Sequence, residues 1–84
     1  MRIDKFLKVS RLIKRREIAK ELCEAGSVSI NGKKAKPMSE VNAGDELEIK
    51  LGHRVLTVKV NETREFASKE QAAAMFSLLN DISH

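Results

Sequence analysis

The 84-residue sequence has few of the residues that support redox chemistry, metal binding or aromatic packing. With one cysteine and two histidines, it excludes an internal disulfide and a cysteine-based zinc site. It has no tryptophan or tyrosine and only three phenylalanines, so aliphatic side chains must form most of the core. We therefore expect one small soluble domain in a reducing cytoplasm, with no metal and no cofactor.

Long apolar runs and catalytic groupings are also missing. No segment approaches the ~20 apolar residues that a membrane span needs, and Met1–Arg2 does not lead into a signal-peptide core, so we predict no membrane partner. His53 falls in a predicted turn, and His84 has no plausible partner. Cys23 occupies an apolar helical position, which favours a buried core residue over a nucleophile. We therefore predict no catalytic residue and no enzymatic activity.

Charge is plentiful but unevenly distributed. The net charge is +4, yet residues 1–36 carry +7 and residues 37–84 carry −3. Such segregation predicts a polyanionic partner for one face of the protein. The positive charge is densest in residues 2–16, where Asp4 is the only acid, and we call this stretch the basic segment. Its members are Arg2, Lys5, Lys8, Arg11, Lys14, Arg15 and Arg16.

The spacing of the basic segment favours nucleic acid as the partner. Arg2, Lys5 and Lys8 are three residues apart, so they share one face of a predicted helix. The other four members lie at the following bend and the start of the next helix, where they extend that face. Such an array fits the spacing of backbone phosphates. Weaker candidates for RNA contact are Lys20, Asn31, Lys33 and Lys34.

Three other interpretations of the basic segment stay open. It could lie on an anionic membrane, but its narrow apolar face is needed to cover a sheet. It could be a solvated helix surface, although Glu17 and Glu21 are too few to neutralise it. It could bind double-stranded DNA, for which the sequence offers no recognition-helix pattern. Compared with a membrane surface or a solvated helix face, a nucleic-acid partner accounts best for the clustering of positive charge.

Periodicity predicts an α+β fold. We predict a helix from Ile3 to about Leu12 and a second helix that ends at Ala25–Gly26, where glycine can adopt a positive φ. Asn31–Gly32 then predicts a β-hairpin whose second strand covers residues 33–36. Two further strands are expected at Glu46–Leu51 and Arg54–Val60. The predicted sheet is therefore small, bent and mainly antiparallel.

A last helix is predicted for the C-terminal part of the chain. Ser68 and Gln71 have the spacing of a capping box. The apolar positions that follow recur at helical spacing: Ala72, Met75, Phe76, Leu79 and Ile82. Phe66 is expected to cover this helix, and a stacking surface for an RNA base is the alternative role for its ring.

Several short motifs, in this order, resemble the S-four RNA-binding domain, a family named after small-subunit ribosomal protein four. The motifs are Met1–Leu7, Ser10–Leu12, Arg15–Ala19, Gly26–Gly32, Lys36–Pro37 and Gly44–Glu46. The resemblance runs through about residue 51. It implies a single domain over 1–84, in which residues 1–51 form the RNA-binding helix pair and bent sheet, called the αL motif, and residues 52–84 complete it.

Among free-standing members, the sequence resembles the RqcP branch of bacterial ribosome-associated quality control. The heat-shock branch normally has a longer basic C-terminal extension. The resemblance implies three partners on a split ribosome: large-subunit rRNA, a peptidyl-tRNA and the tailing factor RqcH. It also implies support of template-free alanine addition to stalled chains. Carried over by position, Arg2 and Arg16 are expected to touch RNA directly.

Two other functions remain compatible with the sequence. One is a heat-shock-type rescue factor that binds dissociated large subunits. The other is an adaptor that binds a basic protein through the acidic half, with Glu40, Asp45, Glu46 and Glu48 as its contacts. In each case we expect the free protein to be a monomer.

Overall fold

A computed structural model describes residues 1–83, which form three short helices and one five-stranded sheet. The elements are α1 Ile3–Val9, α2 Arg16–Glu24, β1 Val28–Ile30, β2 Lys33–Lys34, β3 Glu46–Leu51, β4 Arg54–Val60, α3 Lys69–Ala74 and β5 Phe76–Ser83. The strand order is β2-β1-β3-β4-β5, and neighbouring strands are antiparallel. The predicted α+β class is therefore confirmed. His84, predicted to have no catalytic role, lies outside the described residues.

The core lies where α1 and α2 pack on the sheet. Helix α1 turns Ile3, Phe6 and Leu7 inward, and all three are fully buried because their spacing places them on one face. Helix α2 contributes Ala19 and Cys23, so the prediction that Cys23 is a core residue is confirmed. The sheet completes this core with aliphatic side chains at alternate positions of its central strands: Val28, Leu47, Ile49, Leu56, Val58 and Val60.

The turns predicted from glycine and asparagine are present. Gly26 has a φ of 75° and ends α2, with its N–H donating to the carbonyl of Cys23. Asn31 and Gly32 have φ values of 49° and 84°, the pair of positive angles that a type I′ hairpin needs. Strands β3 and β4 begin and end at the predicted residues. The strand predicted over residues 33–36 is shorter, because β2 covers only Lys33–Lys34.

The C-terminal part differs from the predicted helix. The capping box is present, with the Gln71 N–H donating to Ser68 Oγ at 3.2 Å, but α3 ends at Ala74. Residues 76–83 instead form β5, which pairs with β4, so the predicted helical stripe through Leu79 and Ile82 is wrong. The free edge of β4 supplies backbone hydrogen-bond partners along β5, and this long-range pairing outweighs the local helical spacing.

Helix α1 is also shorter than predicted and ends in an unusual backbone conformation. It stops at Val9, and Arg11 has a φ of 64°, which L residues other than asparagine and aspartate rarely adopt. The Ile13 N–H donates to the Leu7 carbonyl at 3.0 Å and so closes the turn. This turn redirects the chain from α1 into α2 and leaves Lys14 and Arg15 exposed at the surface.

Candidate nucleic-acid interface

The first turn of α1 is held by the loop that precedes β3. No side chain caps this helix; instead the Ile3 N–H donates to the Ser39 carbonyl at 2.8 Å, and the Asp4 N–H donates to the Pro37 carbonyl at 3.3 Å. These bonds satisfy backbone donors that a helix start would otherwise leave free. They also fix the position of Arg2, which immediately precedes the helix.

Asp4 joins the two ends of the basic segment. Its side chain is almost fully buried, and its Oδ2 accepts a hydrogen bond from Arg2 Nη2 at 3.1 Å. Its Oδ1 accepts from Arg16 Nη2 at 3.3 Å and from the Lys5 backbone N–H at 2.8 Å. One carboxylate thus brings together guanidinium groups from the starts of two helices. This role of Asp4 was not predicted from the sequence; the available signal is that Asp4 is the single acid inside the basic segment.

Arg2 and Arg16 line a shallow cleft together with Asp4, Glu17 and Lys20, which we call the arginine cleft. Its volume is about 260 Å³. The two arginine side chains are 47% and 45% exposed, so each guanidinium keeps donors that face solvent. The lining holds three cations, including Lys20, against the two acids Asp4 and Glu17, so the cleft stays positive and can accept a phosphate. Lys20, a weaker candidate in the sequence, lies in this same cleft.

The middle of the basic segment faces a different cleft. Lys8, Arg11 and Lys14 are exposed and line it together with Phe66, and we call it the aromatic cleft. Lys5 forms an ion pair with Glu65, and the hydrogen bond and positive charge of Lys5 lower the pKa of the Glu65 carboxyl. The continuous stripe expected from helical spacing is therefore divided, with its two ends at the arginine cleft and its middle at the aromatic cleft. Lys5 and Arg15 line neither of these two clefts.

Phe66 does not lie where the sequence predicts it. Its side chain is 87% exposed, so the prediction that it covers the last helix is wrong. Helix α3 has only six residues, and Ala72 on it and Met75 just beyond it are buried although the ring is exposed. The ring instead projects at the surface beside the basic segment.

Comparison with known proteins assigns the family. The S4 domain family matches residues 1–47, which include the helix pair and both clefts' basic residues. The chain belongs to the S4 domain family. The resemblance to the S-four motifs is thereby confirmed, in a chain whose described residues have the expected helix pair on a small sheet.

Individual relatives of this S4 domain protein fall into two groups. The Bacillus subtilis "RQC P-site tRNA stabilizing factor" is 53% identical over 81 residues, which cover 96% of this chain and 94% of that protein. Heat shock protein 15 of Escherichia coli is 33% identical over 89% of this chain, but over only 56% of its own length. The trimeric structure of Vibrio cholerae Heat Shock Protein 15 superimposes with a TM-score of 0.86 at 28% identity, covering 93% of this chain and 80% of that one.

In the hairpin, the side chain of Asn31 forms hydrogen bonds within the protein. Asn31 Nδ2 donates to Asp45 Oδ1 at 3.1 Å, and Asn31 Oδ1 accepts from the Glu46 N–H at 2.9 Å. These bonds tie the hairpin to the start of β3, which gives Asn31 a structural role. Lys33 and Lys34 are exposed on β2, at an edge of the sheet, and their contact with RNA stays a prediction.

Cys23 and His53, the described residues with side chains most suited to catalysis, lie in different parts of the fold. Burial raises the pKa of the Cys23 thiol to about 11, and the negative charges of Asp4 and Glu24 add to this effect, so the side chain stays protonated. His53 is exposed in the turn between β3 and β4. Residues 1–83 contain no group of three or more histidine, cysteine or acidic side chains able to hold a metal ion. In the same range, no helix has the length and apolar character needed to cross a membrane.

Proposed function

We propose that this S4 domain protein is a non-enzymatic RNA-binding factor that stabilises P-site tRNA during ribosome-associated quality control. The observation that carries the proposal is the pairing of Arg2 and Arg16 on the buried Asp4, with both guanidinium groups half exposed. The names of relatives that match this chain over almost their full length support the ribosomal role.

The arginine cleft suits a structured RNA backbone. Asp4 holds the two guanidinium groups before RNA arrives, so less side-chain freedom is lost on binding. Contacts to phosphate fix position without reading sequence, which is what a factor needs when any tRNA can be stalled. The protein would thus hold the tRNA by shape and charge, with no bond made or broken.

The finer elements of this proposal rest on the resemblance to the RqcP branch. After a stalled ribosome splits, the protein would bind large-subunit rRNA and the peptidyl-tRNA together in the cytoplasm. RqcH would then add alanines to the nascent chain while the tRNA stays in place. We further propose that residues 1–84 act as one monomeric domain, in which residues 1–51 carry the RNA contacts and residues 52–84 complete the sheet.

The relationship to heat-shock relatives favours a second candidate. A rescue factor of that type would bind dissociated large subunits without any requirement for alanine tailing. The greater coverage of relatives named as P-site tRNA stabilising factors supports the first function. Reconstitution with purified RqcH and large subunits carrying peptidyl-tRNA separates the two. Tailing that increases with this protein supports the first candidate, and subunit binding without any effect on tailing supports the second.

Charge removal tests the arginine cleft directly. We expect Arg2→Ala and Arg16→Ala each to weaken co-sedimentation with large subunits carrying P-site tRNA by about 10-fold, because each removes a charge-assisted contact to phosphate. Each should also lower the free energy of unfolding by about 1 kcal/mol, because the buried Asp4 carboxylate loses one of its two arginine partners. Each lost phosphate contact should also make the negative slope of log affinity against log salt concentration shallower by about 0.7 to 0.9. Lys59→Ala is the matched control, because Lys59 is an exposed base on β4 outside the basic segment.

The outcomes show whether the protein binds RNA through the arginine cleft or binds protein through its acidic half. If both arginine variants sediment with large subunits as the unmodified protein does, the cleft is not the RNA surface. If binding also survives RNase, the protein is instead an adaptor that contacts protein through residues such as Glu40, Glu46 and Glu48, which are exposed.

A further inference from the structure

The aromatic cleft has a composition that phosphate binding alone does not explain. It has a volume of about 510 Å³ and lies between the turn joining α1 to α2 and the segment before α3. Three exposed cations, Lys8, Arg11 and Lys14, line it, and the half-buried Val9 and Ala67 add apolar surface. Phosphates need only the cations. The apolar surface therefore indicates a ligand that carries an apolar face as well as negative charge.

Phe66 supplies the largest apolar face of this cleft. Its side chain is 87% exposed, the highest value among the exposed large hydrophobic residues of the described chain. A phenylalanine ring kept in water loses the free energy that its burial would contribute. An aromatic ring among cations is the arrangement that stacks an unpaired base while the flanking phosphates bind the charges.

A solvent-exposed ion pair connects the two elements that border the cleft. Glu65, in the segment that carries Phe66, pairs with Lys5 of α1, and such surface pairs contribute at most about 1 kcal/mol. The same pair neutralises the one acid that lines the cleft, so the three remaining cations determine its charge. Arg11 stands in the left-handed region with a φ of 64°, and such conformations concentrate where side chains are aimed for binding.

We propose that the aromatic cleft binds one unpaired RNA nucleotide, with its base stacked on Phe66 and its neighbouring phosphates on Lys8, Arg11 and Lys14. This inference rests on the proposed function, since the arginine cleft recruits the RNA backbone. The two clefts then do different things. The arginine cleft binds any folded backbone, and the aromatic cleft selects RNA that presents a base outside a helix.

The test compares two RNA duplexes that differ only in one bulged nucleotide. We expect the protein to bind the bulged duplex about 10-fold more tightly than the fully paired one, as measured by fluorescence anisotropy. Phe66→Leu should abolish this preference, and Phe66→Trp should retain it. Because Phe66 is exposed, both variants should unfold at nearly the same temperature as the parent protein, which circular dichroism checks.

The outcomes distinguish this proposal from the proposed function. Arg2→Ala should weaken binding of both duplexes by the same factor, whether or not the bulge preference exists. If Phe66→Leu keeps the parent preference while Arg2→Ala weakens binding, the nucleotide site is refuted and the RNA-binding function stands. If an acidic peptide displaces the bulged RNA from the parent protein but not from Phe66→Leu, the cleft is a peptide site and the proposal is refuted. If Arg2→Ala and Arg16→Ala bind both duplexes normally, the proposed function is refuted.

Discussion

Replacement of Asp4 by asparagine distinguishes two effects on RNA binding: the positioning of the arginine side chains and the net charge of the protein. The variant keeps the size of the side chain, and its remaining oxygen can still accept the Lys5 N–H. The new amide nitrogen replaces Oδ2, however, and would face the Arg2 guanidinium, so two donors would oppose each other. Net charge rises from +4 to +5, because one acid is removed.

Charge and geometry predict opposite results for RNA binding. If only charge mattered, the extra positive charge would tighten binding to RNA. If Asp4 positions the arginines, Asp4→Asn frees Arg2, while Arg16 keeps its acceptor Oδ1. RNA binding must then order the free Arg2 side chain at about 0.5 to 1.5 kcal/mol, which corresponds to roughly 2- to 13-fold weaker binding. The loss of stability should be about 1 kcal/mol, since both arginine side chains are nearly half exposed and water screens the pairs. In a domain of this size that lowers the unfolding temperature by roughly 4 to 8 °C.

The assay is a salt titration of labelled tRNA by fluorescence anisotropy, with thermal unfolding followed by circular dichroism. Glu17→Gln is the matched control, because Glu17 lines the arginine cleft and its replacement changes net charge by the same amount. Among residues 1–83, Glu17 makes no side-chain hydrogen bond to Arg2 or Arg16. The positioning argument is refuted if Asp4→Asn binds tRNA as tightly as Glu17→Gln at every salt concentration.

Two further predictions concern residues outside the clefts. Asn31→Ala should lower the free energy of unfolding by about 2 kcal/mol, because the bonds to Asp45 and Glu46 are lost and alanine is strained at a φ of 49°, while tRNA affinity stays unchanged. Chemical denaturation and anisotropy measure the two effects, and a specific loss of affinity would instead give Asn31 a role in RNA binding. Cys23 should react with a thiol reagent about 100-fold more slowly at pH 8 than an ordinary cysteine, since its pKa is raised to about 11 from 9.0. The same protein unfolded in urea is the control, and equal rates in both states would contradict the burial of the thiol.

The parts of the fold that follow local rules were predictable. The Asn31–Gly32 hairpin depends on positive φ angles that these two residues tolerate, so it could be located from the sequence. Residues 76–83 could not be assigned in this way. Their apolar positions fit a helix, and β5 forms because the edge of β4 offers hydrogen bonds. That edge is supplied by residues far along the chain, which periodicity does not register.

The candidate site shows the same division between local pattern and tertiary placement. Counting charges located the basic segment, but it could not show that α1 ends at Val9 and that the turn at Arg11 divides the segment between two clefts. Removal of any of these cations weakens long-range attraction as well as a specific contact. Phe66 carries no charge, and loss of the negative charge of Asp4 would by itself tighten RNA binding, so weaker binding after either replacement reports geometry. These two residues, neither of which a search for basic patches would select, therefore decide whether the surface is a shaped site or only a charged one.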